Sequence, residues 1–305
     1  MWIILAFISA ALLGFYDASK KSSLRDNAVI PILFLNTLFC AALLLPFIIL
    51  SHSGQISPDS HFFVAPISAA QHRLIIIKSV IVLSSWLLGY FAIKHLPLTI
   101  VGSVNATRPV LTIVGALLVF GEELNAWQWA GVGLGLLSFY LMSRSGSKEG
   151  IRFTHSLWIY LLVGAAILGA ASGLYDKHLM SPEDHGGAGL NRMAVQGWYN
   201  IYQCLMMGAM LLLIWWPGRK KSTPFRWKHS IILISIFLTV ADFVYFYALT
   251  DPDAMISVVS MVRRGSVLVS FAIGALIFKE KNLKSKAIDL IFVLLSMICL
   301  WIGSN

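Results

Sequence analysis

Residues 98–122, LTIVGSVNATRPVLTIVGALLVFGE, decide what kind of fold this chain has. The stretch is apolar over nearly its whole length, and a helix of this length spans the roughly 30 Å of hydrocarbon in a bilayer. It also carries Arg108, and an ionised group at that depth needs a polar cavity or a partner. The stretch is therefore typical of a transmembrane helix with one polar face turned into protein.

The composition of the whole chain points to the same environment. Of 305 residues, 58% are hydrophobic and 12% are charged, whereas soluble domains average about 25% charged residues. The formal net charge is +9. Because the basic residues fall in short gaps between apolar runs, the charge indicates membrane orientation and contact with anionic lipids, and nucleic acid is not expected as a partner.

Ten apolar runs are long enough to cross the membrane, which predicts an all-α polytopic bundle of ten transmembrane helices. Proline or charge at the breaks, as in His95-Leu96-Pro97 and Asp251-Pro252-Asp253, ends the helices there. The predicted spans are 2–17, 30–50, 73–93, 98–120, 126–143, 156–175, 193–216, 229–249, 254–278 and 286–303.

A second stretch, ISVVSMVRRGSVLVSFAIGALIFKE at 256–280, repeats the first at an offset of 158 residues. Near the start of each half, GFYD at 14–17 returns as GLYD at 173–176, an offset of 159. A shared offset across half the chain is stronger than any one local match. Since five helices per unit is an odd number, the two repeats are predicted to be inverted relative to each other.

The repeats predict two units, 1–145 and 156–305, and the loop charges predict the orientation of the chain in the membrane. The gaps after odd-numbered helices hold sixteen lysines and arginines, and the opposite gaps hold four: Arg73, Lys78, Lys177 and Arg192. The positive-inside rule then places the basic gaps in the cytoplasm and both termini outside, with the plasma (inner) membrane as the location.

Four ionisable residues are predicted to lie deep in the membrane: Arg108, Asp242, Arg263 and Arg264. Three guanidiniums against one carboxylate leave an excess of positive charge, which an anionic ligand group would offset. Arginine also presents a fork that suits carboxylate or phosphate. The alternative is that Asp242 neutralises one arginine and the cluster only holds helices together.

Other polar and aromatic residues complete the predicted substrate site. Asn105 lies one turn before Arg108 on the same helix face. Asn200 belongs to a polar face of the seventh helix that either lines the cavity or bonds another helix. The aromatic candidates for the cavity wall, for which core packing is the alternative, are Trp86, Tyr90 and Tyr245.

Motifs for bound cofactors and for catalysis are absent from the sequence. It contains no GxxxxGK[ST], GxGxxG, HExxH or GxSxG string, so no cofactor, no metal and no enzymatic activity are predicted. A small-residue face at Gly131, Gly133 and Gly135 allows close approach of another helix, either within the chain or from a second copy in a homodimer.

The pattern resembles the drug/metabolite transporter superfamily, in particular its ten-helix EamA-type members. The resemblance rests on two five-helix halves, on Glu122 and Glu280 in the short turns that end the repeated stretches, and on Arg108-Pro109. It implies that helices 1 to 4 and 6 to 9 surround a substrate cavity, with helices 5 and 10 outside.

The function predicted from these features is secondary transport, as an exporter or exchanger, of a small anionic or zwitterionic metabolite such as an amino acid, an organic acid or a phosphorylated compound. Asp242 is the candidate carrier of a coupling proton. The alternative is a lipid flippase or a membrane subunit of a lipid-modifying system. The basic loops, which would bind anionic lipid headgroups, suggest this alternative, and a lateral groove open to lipid would distinguish it from a transporter.

Overall fold

The computed structural model describes residues 2–108, 110–111, 125–147, 155–180, 183, 187–220, 222–248, 262–280 and 283–304. Within these residues every regular element is a helix. Ten main helices follow one another: α1 Trp2–Leu24, α2 Val29–His52, α3 Ala69–His95, α4 Leu98–Ala106, α5 Ala126–Ser147, α6 Leu157–Met180, α7 Arg192–Met210, α8 Ser230–Ala248, α9 Ser266–Leu276 and α10 Leu283–Ser304. A π-helical turn, Leu211–Trp215, extends α7 toward Gly218.

The all-helical prediction is confirmed, and most predicted spans agree with the helices to within a few residues. The largest difference is at α1, which was predicted to end at residue 17 and continues to Leu24. The charged residues there stay in the helix because they find partners: Lys20 pairs with Asp17, and Lys21 donates to main-chain carbonyls of Ile93 and Leu96. The later parts of the predicted fourth span and the start of the ninth lie outside the described residues.

Several helices have the length and composition of membrane spans. Five in the described part of the chain meet both conditions: Val29–His52, Ala69–His95, Leu157–Met180, Arg192–Gly218 and Lys286–Gly303. Large apolar side chains on their outer faces are exposed, among them Leu205 of α7 and Leu213 of the π-helical turn that follows it. Such a surface is stable only against hydrocarbon.

The packing of the helices follows a pseudo-two-fold axis that exchanges the two repeats. Helix α1 packs on α8, and the equivalent pair, α6 and α3, packs in the same way. Three further pairs, α2 with α7, α4 with α9, and α5 with α10, join equivalent helices of the two repeats. Since each repeat contributes one half of every pair, neither repeat buries its apolar faces alone.

Equivalent positions in α4 and α9 interrupt the helix in the same way. Thr107 and Gly265 are turn residues at an offset of 158, with helical residues on both sides. Both interruptions are spanned by bonds between residues three apart, which are typical of a tightened 3₁₀ turn. The bonds run from the N–H of Thr107 to Val104 O (3.2 Å), Val110 to Thr107 O (3.0 Å), Gly265 to Val262 O (2.9 Å) and Leu268 to Gly265 O (2.9 Å).

One end of the bundle, where α1, α3, α5, α7 and α9 finish, is held by hydrogen bonds between the repeats. Asn27 bonds the main chain of Arg226 in both directions (2.6 and 2.8 Å). The Glu280 carboxylate accepts the N–H groups of Leu98 (2.5 Å) and Thr99 (3.2 Å) at the start of α4. A carboxylate at a helix N-terminus satisfies unpaired donors and complements the helix dipole.

Two of the three glycines in the predicted small-residue face pack within the chain. A Cβ at Gly131 would lie 2.6 Å from Leu300 Cδ2 of α10, and one at Gly135 would lie 2.6 Å from Val110 Cγ2. Gly133 points the other way, with nothing within 4 Å in the described part of the chain. The three glycines therefore do not form one face, because positions two apart lie on nearly opposite sides of a helix.

These contacts predict opposite consequences for one substitution at two neighbouring glycines. Gly131→Val should lower the apparent melting temperature of the detergent-solubilised protein, since overpacking a tight contact costs about 1–3 kcal/mol. Gly133→Val places the same side chain on the same helix in open space, and it should have little effect. Equal melting temperatures for the two variants would contradict the α5–α10 contact.

Candidate substrate site

A polar pocket lies between α1, α3, α4 and α6. Its walls include the predicted residues Trp86, Tyr90, Asn105 and Arg108. The empty space between these walls is about 300 Å³ including the part open at its mouth, but the centre of a water-sized sphere can reach only about 30 Å³ of it, far less than the roughly 300–1,000 Å³ of small-molecule sites. The other lining residues are Tyr16, Lys20, Ser85, Gly89, Val101 and Leu162.

The chain leaves room for the Arg108 guanidinium by placing a glycine opposite it. A Cβ at Gly169 of α6 would lie 2.7 Å from Cζ and 2.8 Å from Nη1 of Arg108. In the same pocket the Oδ1 atom of Asn105 is buried and has no hydrogen-bond partner among the described residues. The guanidinium of Arg108 and the unpaired Oδ1 atom of Asn105, which lie about one helical turn apart, thus face one small polar space.

Arg263 is held by a carboxylate and an aromatic ring on α8. Its guanidinium forms an ion pair with Asp242 and lies 4.2 Å from the ring centroid of Tyr245. The second carboxylate oxygen of Asp242 accepts the hydroxyl of Tyr199 at 3.2 Å. The predicted alternative, that Asp242 neutralises one arginine, therefore describes Arg263 correctly.

Arg264 differs from its neighbour. In the described part of the chain it has neither a hydrogen-bond partner nor a carboxylate within ion-pair distance. The charges of Arg108 and Arg263 repel its guanidinium, and the more weakly acting carboxylate of Asp17 attracts it. Two lysines near the site have their own carboxylates: Lys20 pairs with Asp17 at 2.7 Å, and Lys78 pairs with Asp176.

The structure brings most of the predicted site residues into two adjoining groups. Trp86, Tyr90, Asn105 and Arg108 line the pocket, and Asp242, Tyr245, Arg263 and Arg264 adjoin it through the electrostatic contact of the arginines. Asn200 does not line the pocket: it is buried on α7 and donates to the Gln196 carbonyl at 2.8 Å, next to the Tyr199 that bonds Asp242. Lys78, assigned from the sequence to a loop, is inside α3.

Sequence reasoning did not assign Tyr16, Lys20 or Gly169 to the site, and it placed Tyr199 only on the polar face of the seventh helix. Lys20 was interpreted as an ion-pair or gate partner of Asp17 at a helix end, a pair that the structure contains, and Tyr16 only as part of the repeated GFYD string. Gly169 has no distinguishing signal, because its role appears only when α6 is placed beside α4. Tyr199 lies next to Asn200, and its bond to Asp242 depends on the packing of α7 against α8.

The comparisons with known proteins fit this geometry. The model of the EamA-like transporter family matches residues 1–144 and 156–302, nearly the entire chain in two segments. The chain belongs to the EamA-like transporter family. It is therefore a multi-pass integral membrane protein of a family that transports small solutes.

A solved crystal structure has the same fold as this EamA-like protein. The two align with a TM-score of 0.62 over 99% of this chain and 98% of the other, at 14% sequence identity. Identity at that level shows the shared fold alone. No curated protein matches the sequence significantly.

The ion pair in the EamA-like protein allows a double-mutant test. Asp242→Asn leaves the Arg263 guanidinium buried without its carboxylate, and loss of one partner of a buried pair typically costs about 3–5 kcal/mol. Removing both charges, with Asp242→Asn and Arg263→Gln together, should recover part of that loss. The measurement is the apparent melting temperature of the four proteins in detergent; additive effects of the two substitutions would contradict the pairing.

Proposed function

We propose that this EamA-like protein is a secondary transporter of a small anionic or zwitterionic metabolite, bound through its acidic group by Arg108, Arg263 and Arg264. The substrate would be an amino acid, an organic acid or a phosphorylated compound. Alternating access follows from the inverted repeats, which place a central site between two interchangeable halves. Such transport changes no covalent bond in the solute and uses no catalytic residue.

The observation that carries the proposal is the charge balance at the centre of the bundle. In the described chain Asp17, Asp176 and Asp242 each already have a cationic partner, and Arg264 has no carboxylate within ion-pair distance. A guanidinium in a low-dielectric site without a counter-charge is costly. A carboxylate or phosphate from the solute would supply that counter-charge and match the fork of the guanidinium.

The pairing of Asp242 with Arg263 suggests how a proton is coupled to the solute. An anion that binds Arg263 competes with Asp242 for the same donors. The released carboxylate would remain beside Tyr199 in a largely buried position, where taking up a proton avoids an unpaired charge. Anion and proton would then move together, and Asp242 would return to Arg263 after release.

The end of the bundle that is held by hydrogen bonds between the repeats is the proposed cytoplasmic end, because the basic gaps lie there. To expose the site on that side, the chain would have to release the bonds between Asn27 and Arg226 and between Glu280 and the start of α4. The termini lie at the opposite end, outside the cytoplasm. The proposed location is the plasma (inner) membrane.

Uptake into proteoliposomes tests the proposed substrate class. A panel of amino acids, organic acids and phosphate esters should include anions that the wild type carries, and Arg264→Gln and Arg108→Gln should each reduce that uptake by about tenfold or more, since a charge-assisted bond contributes about 1.5–3 kcal/mol. Arg263→Lys should also lose activity, because an ammonium cannot form the bidentate contact.

Arg25→Gln is the matched control for these variants, since Arg25 is exposed in the loop after α1 and should carry no function. All variants should be present in the vesicles at equal amounts. Neutral or cationic solutes carried equally well by wild type and arginine variants would show that the arginines are structural, and the proposal would be wrong.

Proton coupling is tested with the solute that the panel identifies. An acidic exterior should increase accumulation by the wild type, because the anion enters together with a proton on Asp242. Asp242→Asn should retain exchange of the solute but lose the response to the pH gradient. Asp26→Asn, an exposed carboxylate in a loop, is the control; an unchanged pH response in Asp242→Asn would exclude this carboxylate as the proton carrier.

A further inference from the structure

Uncharged polar side chains form a buried cluster between α2, α7 and α8. The amides belong to Asn36, Gln196, Asn200 and Gln203, all at most 3% exposed, and Gln203 is completely buried. Thr239 contributes a hydroxyl. This cluster involves the equivalent helices α2 and α7, whereas the arginines come from the other equivalent pair, α4 and α9.

A few hydrogen bonds connect these side chains to one another and to α8. Ser235 donates to the Oδ1 atom of Asn36 at 3.2 Å, and Gln196 Nε2 donates to the Thr239 carbonyl at 3.5 Å. The cluster also adjoins Asp242, which lies three residues after Thr239 on the same face of α8. The polar groups therefore continue from the ion pair of Asp242 and Arg263 into the α2–α7 wall.

Most of the hydrogen-bonding capacity of this amide cluster is unused. The buried atoms without a partner in the described residues are Asn36 Nδ2, Gln196 Oε1, Asn200 Oδ1, Gln203 Nε2, Gln203 Oε1 and Thr239 Oγ1. Native proteins leave few buried polar atoms unsatisfied, because each costs free energy comparable to a lost hydrogen bond. Both ends of the Gln203 amide are unpaired in one fully buried side chain.

A purely structural role does not account for this arrangement. Polar residues that hold transmembrane helices together do so by bonding one another, as Ser9 does when its hydroxyl donates to the Ala241 carbonyl at 2.7 Å. The amides of the cluster mostly lack such bonds. Donors and acceptors are both present and none is charged, which suits hydroxyl, amide or water groups and not a second ionic group.

We propose that the amide cluster is a second, uncharged binding site that takes neutral hydrogen-bonding groups: the hydroxyl or amide groups of a solute, or ordered water that leads to Asp242. The solute form of this proposal rests on the proposed function, with the acidic end of the solute at the arginines and its neutral polar part at the amides. The water form does not depend on it.

The apparent melting temperature of Gln203→Met in detergent tests both forms. Methionine keeps the length of the side chain and removes its polar ends. If the cluster binds neutral polar groups, the substitution breaks their network and the melting temperature falls by about 2–4 °C. If the amides are dry and unpaired, removing one relieves a penalty and the melting temperature rises, which overturns the proposal. Leu205→Met, on the lipid-exposed face of α7, is the control.

Radiolytic hydroxyl-radical labelling in H₂¹⁸O provides a second measurement, made on the wild type in case the variant does not fold. Cys40 is completely buried and contacts Asn36 and Ser235 in the cluster, whereas Cys299 lies on α10 away from it. Oxidation of Cys40 with ¹⁸O uptake, above the level at Cys299, is expected for an occupied, hydrated site. An unlabelled Cys40 overturns the proposal.

Matched probes separate solute from water. Lactate and propionate differ by one hydroxyl, as do glycerate and lactate, and binding is measured by the shift of the melting temperature with concentration. A solute site should prefer the more hydroxylated member, and Gln203→Met should reduce that preference by about tenfold. If the preference is absent while Gln203→Met still destabilises and Cys40 is labelled, the ligand is water.

The same probes separate this proposal from the proposed function. Arg263→Gln should weaken both members of each pair equally, because both carry a carboxylate. Gln203→Met should change only the preference between the members. Anion binding that survives in Gln203→Met with a raised melting temperature would leave the arginine site standing and reject the amide site alone.

Discussion

The cost of placing charge inside a bilayer is the constraint on which the rest of this structure depends. Asp17, Asp176 and Asp242 are each paired with a cation, and the side chains of all three pairs are largely buried. Burial of an ion pair contributes little net stability by itself. Such pairs are instead able to exchange partners, and in the proposed transport a solute anion would compete with the carboxylate for the guanidinium.

The inverted repeat places the arginines of both halves at one depth in the bundle. Equivalent turns at Thr107 and Gly265 interrupt α4 and α9, and the arginines lie beside these turns on both helices. Equivalent interruptions face each other across the pseudo-two-fold axis, so both halves deliver cationic side chains to the centre although their sequences differ there. In the proposed alternating-access mechanism, these turns would be the places where the two helices bend.

Much of the fold could be predicted from the sequence, because hydrocarbon thickness sets helix length and the offset of 158 residues reveals the repeat. Helix ends were harder to predict. Helix α1 continues past Asp17 because Lys20 pairs with that carboxylate, and this pair stabilises a helical turn that is too polar to be predicted as part of an apolar span. The arginines and Asp242 were visible as charges in apolar runs. The partners were not, since the contact of Arg108 with Gly169, and of Tyr199 with Asp242, depends on which helix faces which.

Asn200 shows most clearly where sequence reasoning reaches its limit. Its polarity in an apolar helix left two interpretations, a cavity wall or a hydrogen bond to another helix. The structure places it in a wall of amides, where its Nδ2 atom bonds the Gln196 carbonyl of its own helix and its Oδ1 atom has no partner among the described residues. Lipid offers no hydrogen bond to such a wall, and in our proposal it is completed by a polar group that enters from water. The centre of the bundle thus has two unlike surfaces, one cationic and one neutral, and a molecule that satisfies both must itself have two unlike ends.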